Sequence, residues 1–386
     1  MSDLWVEVAD RDQLGIHVVA AWSRPPAPSA GPVRIDPDEA ALNLEALPST
    51  QVRSLPAPAH MGVWSLELGS ENFFEVAVTG CGQRFGLVAE PLKAPAGPML
   101  SRFATANDVH IGEVECGRID SMGDEQLGPV LRTAEGDEPY PELMNRTGAA
   151  AVLATAPDNV LINGDLTDSG TPDQYARLRR LWSGFGPRLN VVRGNHDADA
   201  YTDVVDQRAP YLITQPGLTV AVLDTVRPGE AGGTLREDQI DWLDALCQQS
   251  TEPVLVCGHH PLTHPGDDPS QQAFNIPADV SEGLINLARR RDAFCAYTSG
   301  HTHRNAMRTR ADLPNVAFIE VASLKDYPGV WGRYDVYESG MVFSVRRVLD
   351  PDALSWTERT RHMFAGTYGS YALGALGERS AVLRWR

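Results

Sequence analysis

Along the first hundred residues apolar and polar positions alternate with a period of two, at 18–22, 63–68, 73–78 and 84–88. Gly, Ser and Asn turn signals separate these segments, which predicts a small all-β module. Proline-rich stretches at 25–28 and 91–98 punctuate it, and the second places a domain boundary near Gly97. Beyond that point short apolar runs are followed by segments of helical period, the signature of strands and helices alternating in an α/β core. Buried strands are expected at 160–163, 189–192, 218–223, 253–257, 293–298 and 316–321.

Helices fall between them. One starts with Thr171 as N-cap and Pro172 at the first helical position, with Tyr175, Leu178 and Leu181 or Trp182 on its apolar face. A second is expected from Thr234, with Glu237 completing a capping box and Trp242, Leu243 and Leu246 as its stripe. A third spans about 281–291. Residues 113–142 are acidic and glycine-bearing and read as a long irregular loop, either a solvated surface or a lid. A hairpin turning at 338–340, a short helix near 351–361 and an irregular tail complete the chain. The expected organisation is therefore a β-rich domain over 1–97, a catalytic domain over 98–350 and a C-terminal helix and tail over 351–386.

Composition narrows the function classes. Acidic residues number 51 against 33 basic ones, and the formal charge of −18 repels a phosphate backbone, so duplex nucleic acid is not an expected partner. The five cysteines contain no C-x-x-C pair and read as reduced thiols. With acidic residues near the start and no long apolar run, the expectation is a cytoplasmic protein that does not span a membrane.

Five stretches share one feature, an apolar strand running directly into metal-ligand residue types. They are Asn107-Asp108-Val109-His110, Asn163-Gly164-Asp165-Leu166-Thr167-Asp168, Gly194-Asn195-His196-Asp197, Gly258-His259-His260-Pro261 and Gly300-His301-Thr302-His303. In open α/β sheets, sites assemble at the carboxyl ends of strands, so these endings can converge. Carboxylates, imidazoles and one amide oxygen, without thiolate, suit Mn, Fe, Zn or Co rather than a structural zinc or calcium site. Seven candidate ligands are too many for one ion and suit two that share a carboxylate. Glycines before Asp165, Asn195, His259 and His301 permit the close approach such crowding requires.

The ordered set D-x-H, G-D-x-x-D, G-N-H-D, G-H-H-P and G-H-T-H resembles the calcineurin-like metallophosphoesterases, over about residues 104–325. Within them, residues 164–170, Tyr175 and the 194–197 block resemble the bacterial class III cyclic nucleotide phosphodiesterases. The resemblance implies a mixed β-sandwich flanked by helices. It further implies a first metal held by Asp108, His110, Asp165 and His303, and a second by Asp165, Asn195, His259 and His301, with Asp165 bridging. His196 would stabilise the transition state or protonate the leaving oxygen, with Asp197 orienting its imidazole. His260 and Asp168 would support the site or face substrate. Purple acid phosphatases carry a metal-binding tyrosine where this chain has Asp168, so an iron-tyrosinate centre is not expected. Two divalent ions would give the site a positive local field that attracts a small phosphoester despite the acidic surface.

The expected function is hydrolysis of a phosphodiester, foremost a 3',5'-cyclic nucleotide. A phosphomonoesterase acting on nucleotides or phosphoproteins, and an inactive metal-stabilised binding protein, are the alternatives. His17, His60, His264 and His362 lie outside the blocks and are expected to be structural, and Asp224 either caps a turn or supports the site.

Overall fold

The computed structural model describes residues 92–118, 127–198, 205 and 208–385. It also describes eight strands before residue 91, and of their side chains those of Glu7, Ala9, Asp10, Arg11, His17 and Val19. The stretch at 25–28, Cys81, the His60 side chain and residues 119–126 of the acidic loop lie outside the described residues.

The four alternating segments fall in β2 (Gly15–Trp22), β6 (His60–Glu67), β7 (Phe74–Gly80) and β8 (Gln83–Ala89), and β1 (Leu4–Arg11), β3 (Arg34–Pro37), β4 (Glu45–Ala46) and β5 (Thr50–Gln51) are additions. They form one sheet in the order β1-β2-β6-β4, with β5 also on β6, and a three-stranded sheet β3-β7-β8. Ala9 and Val19 pack on Leu354, while the Glu7 carboxylate meets Tyr327 Oη and the Arg347 guanidinium.

The remaining strands build two six-stranded mixed sheets. The first contains β9 (Met99–Ala106), β10 (Asn159–Asn163), β11 (Leu189–Val192), β18 (Val330–Tyr337), β19 (Gly340–Arg347) and β20 (Ser380–Arg384), in the order β11-β10-β9-β18-β19-β20. The second contains β12 (Tyr211–Gln215), β13 (Leu218–Val222), β14 (Val254–Cys257), β15 (Phe294–Ser299), β16 (Ala306–Arg310) and β17 (Leu313–Glu320), in the order β12-β13-β14-β15-β17-β16. Strands β9, β10 and β11 are mutually parallel, as are β13, β14, β15 and β17.

Parallel strands covered on both faces read as unbroken apolar runs, and the side-chain period of two sorts their residues into layers. Leu161, Val220, Val222, Leu255 and Cys257 point into the sandwich interior. Val160 and Ile162 face α1 (Tyr140–Ala154), α2 (Pro172–Leu181) and α6 (Pro351–Thr360) on one outer side. Ala221, Leu223, Val254 and Val256 face α3 (Glu237–Gln249) and α5 (Ala278–Arg290) on the other. Two further helices, α4 (Pro269–Gln272) and α7 (Tyr368–Leu373), are short. Among the described residues no helix is long and apolar enough to cross a membrane.

Several sequence expectations shift. α2 starts at Thr171 as expected, with Gln174 adding a capping box, and Trp182 rather than Leu181 is the buried residue. The capping box expected at Thr234 does not form: α3 begins at Glu237, and the Thr234 amide instead donates to Thr225. α5 starts three residues earlier than its apolar pattern suggests, after Pro277. α1 is an addition that occupies the end of the region read as loop. Its packed face mixes Tyr140, Met144 and Val152 with Asn145, Thr147 and Gly148; Asn145 donates to Val109 O and accepts from Trp182 Nε1. The tail expected to be irregular carries α7 and then β20, which pairs with β19.

Candidate metal centre

All five chemistry-bearing stretches follow the carboxyl ends of parallel strands. β9 leads to Asp108 and His110, β10 to Asp165, β11 to Asn195 and His196, β14 to His259 and His260, and β15 to His301 and His303. Both sheets therefore deliver residues to one edge of the sandwich. Close approach there depends on glycine: a Cβ at Gly164 would collide with the His259 ring, and one at Gly194 with the Asp165 carboxylate.

The backbone is also bent to present these side chains. Asp108 (φ 52°), His110 (41°), Asp165 (44°), His301 (69°) and His303 (52°) are left-handed. They are five of the eight non-glycine residues with positive φ among the described residues. Such conformations cost of order 1–3 kcal/mol each and persist where the surroundings enforce them.

The Asp165 carboxylate faces two ways. Its Oδ2 stands 3.4 Å from His110 Nε2, and its Oδ1 stands 3.3 Å from His259 Nε2. Asp108, His110 and His303 gather on the first side, with His303 Nε2 3.7 Å from Asp108 Oδ1. On the second side Asn195 Oδ1 is 3.3 Å from His259 Nε2, and His259, His260 and His301 bring ring nitrogens within 4.8 Å of one another. His301 is tied to the first half through its amide, which donates to Asp108 at 2.9 Å.

This donor set suits metal ions. Neither ring nitrogen of His301 or of His110 makes a hydrogen bond, although all four atoms are shut off from solvent. Nitrogen lone pairs buried without a donor are costly unless a cation completes them. Burial, together with the charge of His259, pushes His301 down to about 3, and burial takes His110 well below the usual imidazole range. Both are thus neutral, the form that ligates. Burial opposes the charge on Asp165, yet His259 and His196 outweigh it and hold the carboxyl well below its ordinary value. Burial prevails at Asp108, which is pushed up to about 6.

The surrounding residues sort themselves by their contacts. The half-buried His196 takes its orientation from the Asp168 carbonyl, 2.9 Å from Nδ1, and its amide donates to Asp165. Asp197 does not orient it. The Asp197 carboxylate accepts from the amides of Leu166, Thr167 and Gly194 and from Thr167 Oγ1 at 2.7–3.0 Å, clamping two strand endings together. The Asp168 carboxylate lies with His110 and Glu113. His260 Nδ1 pairs with Thr225 Oγ1 at 2.8 Å, while its Nε2 has no hydrogen bond. Asp224 binds Arg193 and caps the amide of Val226. His17 pairs with Asp10, His264 packs on Phe318 and His362 meets Glu358.

Sequence reasoning missed a sixth strand ending. β17 leads through Ser323 to Lys325 and Asp326. Ser323 Oγ donates to Asp108 O, and Asp326 Oδ2 lies 3.1 Å from His303 Nδ1. Lys325 Nζ pairs with Glu113, which also accepts from Tyr140 Oη. The available signal is a Lys-Asp pair amid the buried Ala322, Leu324 and Tyr327.

With this geometry the comparison with known families is decisive: the calcineurin-like phosphoesterase profile matches residues 101–305, more than half of the chain. The chain is a calcineurin-like phosphoesterase. Among the relatives of this calcineurin-like phosphoesterase is a probable cyclic nucleotide phosphodiesterase of Synechococcus sp., 34% identical over 121 residues, covering 29% of this chain and 48% of that one. The cAMP/cGMP dual specificity phosphodiesterase of Mycobacterium tuberculosis is 29% identical over 223 residues, covering 55% and 62%. A glycerophosphodiester phosphodiesterase of Enterobacter lignolyticus is 26% identical over 167 residues, covering 40% and 59%. The matches thus span less than two thirds of these relatives' own lengths.

Proposed function

We propose that this phosphoesterase hydrolyses phosphodiesters, with a 3',5'-cyclic nucleotide as its substrate, at a centre of two divalent transition-metal ions. Asp108, His110, Asp165 and His303 would hold one, and Asp165, Asn195, His259 and His301 the other. The observation that carries this reading is the Asp165 carboxylate, whose two oxygens face the two halves of the ligand set at 3.4 and 3.3 Å. When bound, such ions supply Lewis acidity toward phosphoryl oxygens and a water nucleophile of lowered pKa.

His196 supplies a proton to the leaving oxygen. Burial disfavours its charge, but Asp165 and the Asp168 carbonyl outweigh burial and raise its pKa, keeping a donor proton available. The choice of a cyclic diester rests on the names of two relatives, and the glycerophosphodiester enzyme is a third diesterase. The four described cysteines are all free and buried, in keeping with a reducing cytoplasm. The family match beginning at residue 101 supports a separate β module over 1–97.

The test is hydrolysis of cyclic AMP beside a panel of monoesters, by metal-free protein reconstituted separately with Mn, Zn, Co and Fe. Metal-dependent opening of the cyclic diester is expected. Activity confined to monoesters would move the chain to the phosphatases, and full metal loading without hydrolysis of any ester would favour a binding protein.

A further inference from the structure

A second recess lies beside the metal centre, built mainly by residues 364–371, beyond the family match, with Leu127 completing it. It is a cleft of about 580 Å³ lined by Leu127, Phe364, Thr367, Tyr368, Ser370 and Tyr371. Three of its walls are aromatic and continuous. Phe364 meets Tyr368 edge-on with centroids 5.4 Å apart, and Tyr368 stacks toward Tyr371 at 6.2 Å and 29°.

The cleft is fastened to the proposed ligands themselves. Tyr368 Oη donates to Asp326 Oδ1 at 2.8 Å, and the other Asp326 oxygen holds His303. Tyr371 Oη donates to Thr302 O at 2.9 Å, between His301 and His303, while the Arg304 guanidinium lies 5.8 Å from the Tyr371 ring centroid. One hydrogen bond thus separates the aromatic wall from the residue that orients a proposed metal ligand.

The chain distorts its backbone to build this wall. Phe364 (φ 52°) and Ala365 (φ 55°) are the only described non-glycine residues after His303 in the left-handed region. A bulky side chain there is a genuine outlier. Leu127 (53% exposed) and Tyr371 (41%) are large groups left facing solvent in this cleft. Hydroxyls of Thr367 and Ser370 stand at the rim and donate to local carbonyls, leaving oxygen lone pairs to accept from a ligand. Flat aromatic walls, a polar rim and hydrogen bonds from those walls to Asp326 and Thr302 beside the proposed ligands suit a planar heteroaromatic ring joined to a phosphoester.

We propose that this cleft is the subsite for the purine ring of a diester bound at the metal centre, with Phe364 and Tyr371 as its stacking residues. The proposal rests on the reading of the substrate as a cyclic nucleotide, and two measurements separate the failure of each. The first is binding of adenosine, which carries no phosphate, to the full-length protein by calorimetry or ligand-observed NMR. The second is the ratio of kcat/KM for cyclic AMP to that for glycerophosphoethanolamine, a diester without a ring.

Phe364→Ala and Tyr371→Leu are expected to weaken adenosine binding roughly five- to hundredfold and to lower that ratio in parallel. Phe364→Trp, which keeps a ring, retains both. Circular dichroism and melting temperature confirm that each variant is folded. Adenosine that does not bind the wild type, or binds all variants equally, overturns the cleft. Hydrolysis of cyclic AMP with a ratio indifferent to every substitution overturns it too, and leaves the catalytic reading standing. Adenosine held by the aromatic residues in a protein that opens no cyclic nucleotide supports the cleft and overturns that reading instead.

Discussion

Replacing Asp326 by Asn tests whether the ending of β17 belongs to the metal centre. In the structure one carboxylate oxygen lies 3.1 Å from His303 Nδ1 and the other accepts from Tyr368 Oη at 2.8 Å. Asn preserves the shape but has a single oxygen, so it can accept from only one of the imidazole and the phenol, and it removes the charge that makes the imidazole a stronger donor. Partners of this kind contribute about 10- to 100-fold to metal affinity, or about 1.4–2.8 kcal/mol. The assay is chelator competition for Zn or Mn on wild type and variant, with melting temperature measured on the metal-free proteins. The expected result is a weakened metal with a small thermal change. Affinity within twofold of wild type, alongside a large loss of melting temperature, would show that Asp326 merely fills the core and would refute the reasoning.

Three further outcomes follow from named contacts. His196→Ala is expected to lower kcat by about 10²- to 10⁴-fold with bound metal, measured by atomic absorption, unchanged. Asp197→Ala leaves four donors without an acceptor in a buried site, so urea unfolding should show a loss of about 3–4 kcal/mol. Burial works against the Glu358 carboxylate, but hydrogen bonds from His362 and Arg361 outweigh it and lower its pKa from 4.5. A depressed folded-state value means that its stabilisation is complete above about pH 4.5 and is lost as pH falls through the folded value. Melting temperatures of wild type and Glu358→Gln should therefore converge on acidification below that point; a constant gap would contradict it.

Six of the seven parallel strands were legible because both of their faces are buried, which leaves runs such as 253–257 unmistakably apolar, whereas β9 begins with exposed Met99 and Leu100 and was not placed. The edge strands β12 and β16 were not, since their exposed positions dilute the pattern: β16 buries only Ala306 fully. α1 was hidden because an amide, a hydroxyl and a glycine are interspersed with Tyr140, Met144 and Val152 on the face it buries. At the candidate centre, the seven ligand types and His196 were visible because each follows a strand in a short block. The misreading of Asp197 has a physical source: adjacency in sequence suggests contact with His196, yet a buried carboxylate is drawn to the nearest unpaired amides. Lys325 and Asp326 escaped notice because neither is a conventional block, and the aromatic wall because its residues lie more than fifty positions beyond the last motif.

The five left-handed residues at the centre set stability against chemistry at fixed points of the chain. Each occupies a backbone conformation in which glycine would be at ease, so a protein selected for durability alone would carry glycine at 108, 110, 165, 301 and 303 and would bind nothing. A screen for heat-resistant variants of the metal-free chain is therefore expected to drift toward erasing these side chains. The same screen run with metal present should hold them in place, because bound metal then repays the backbone distortion.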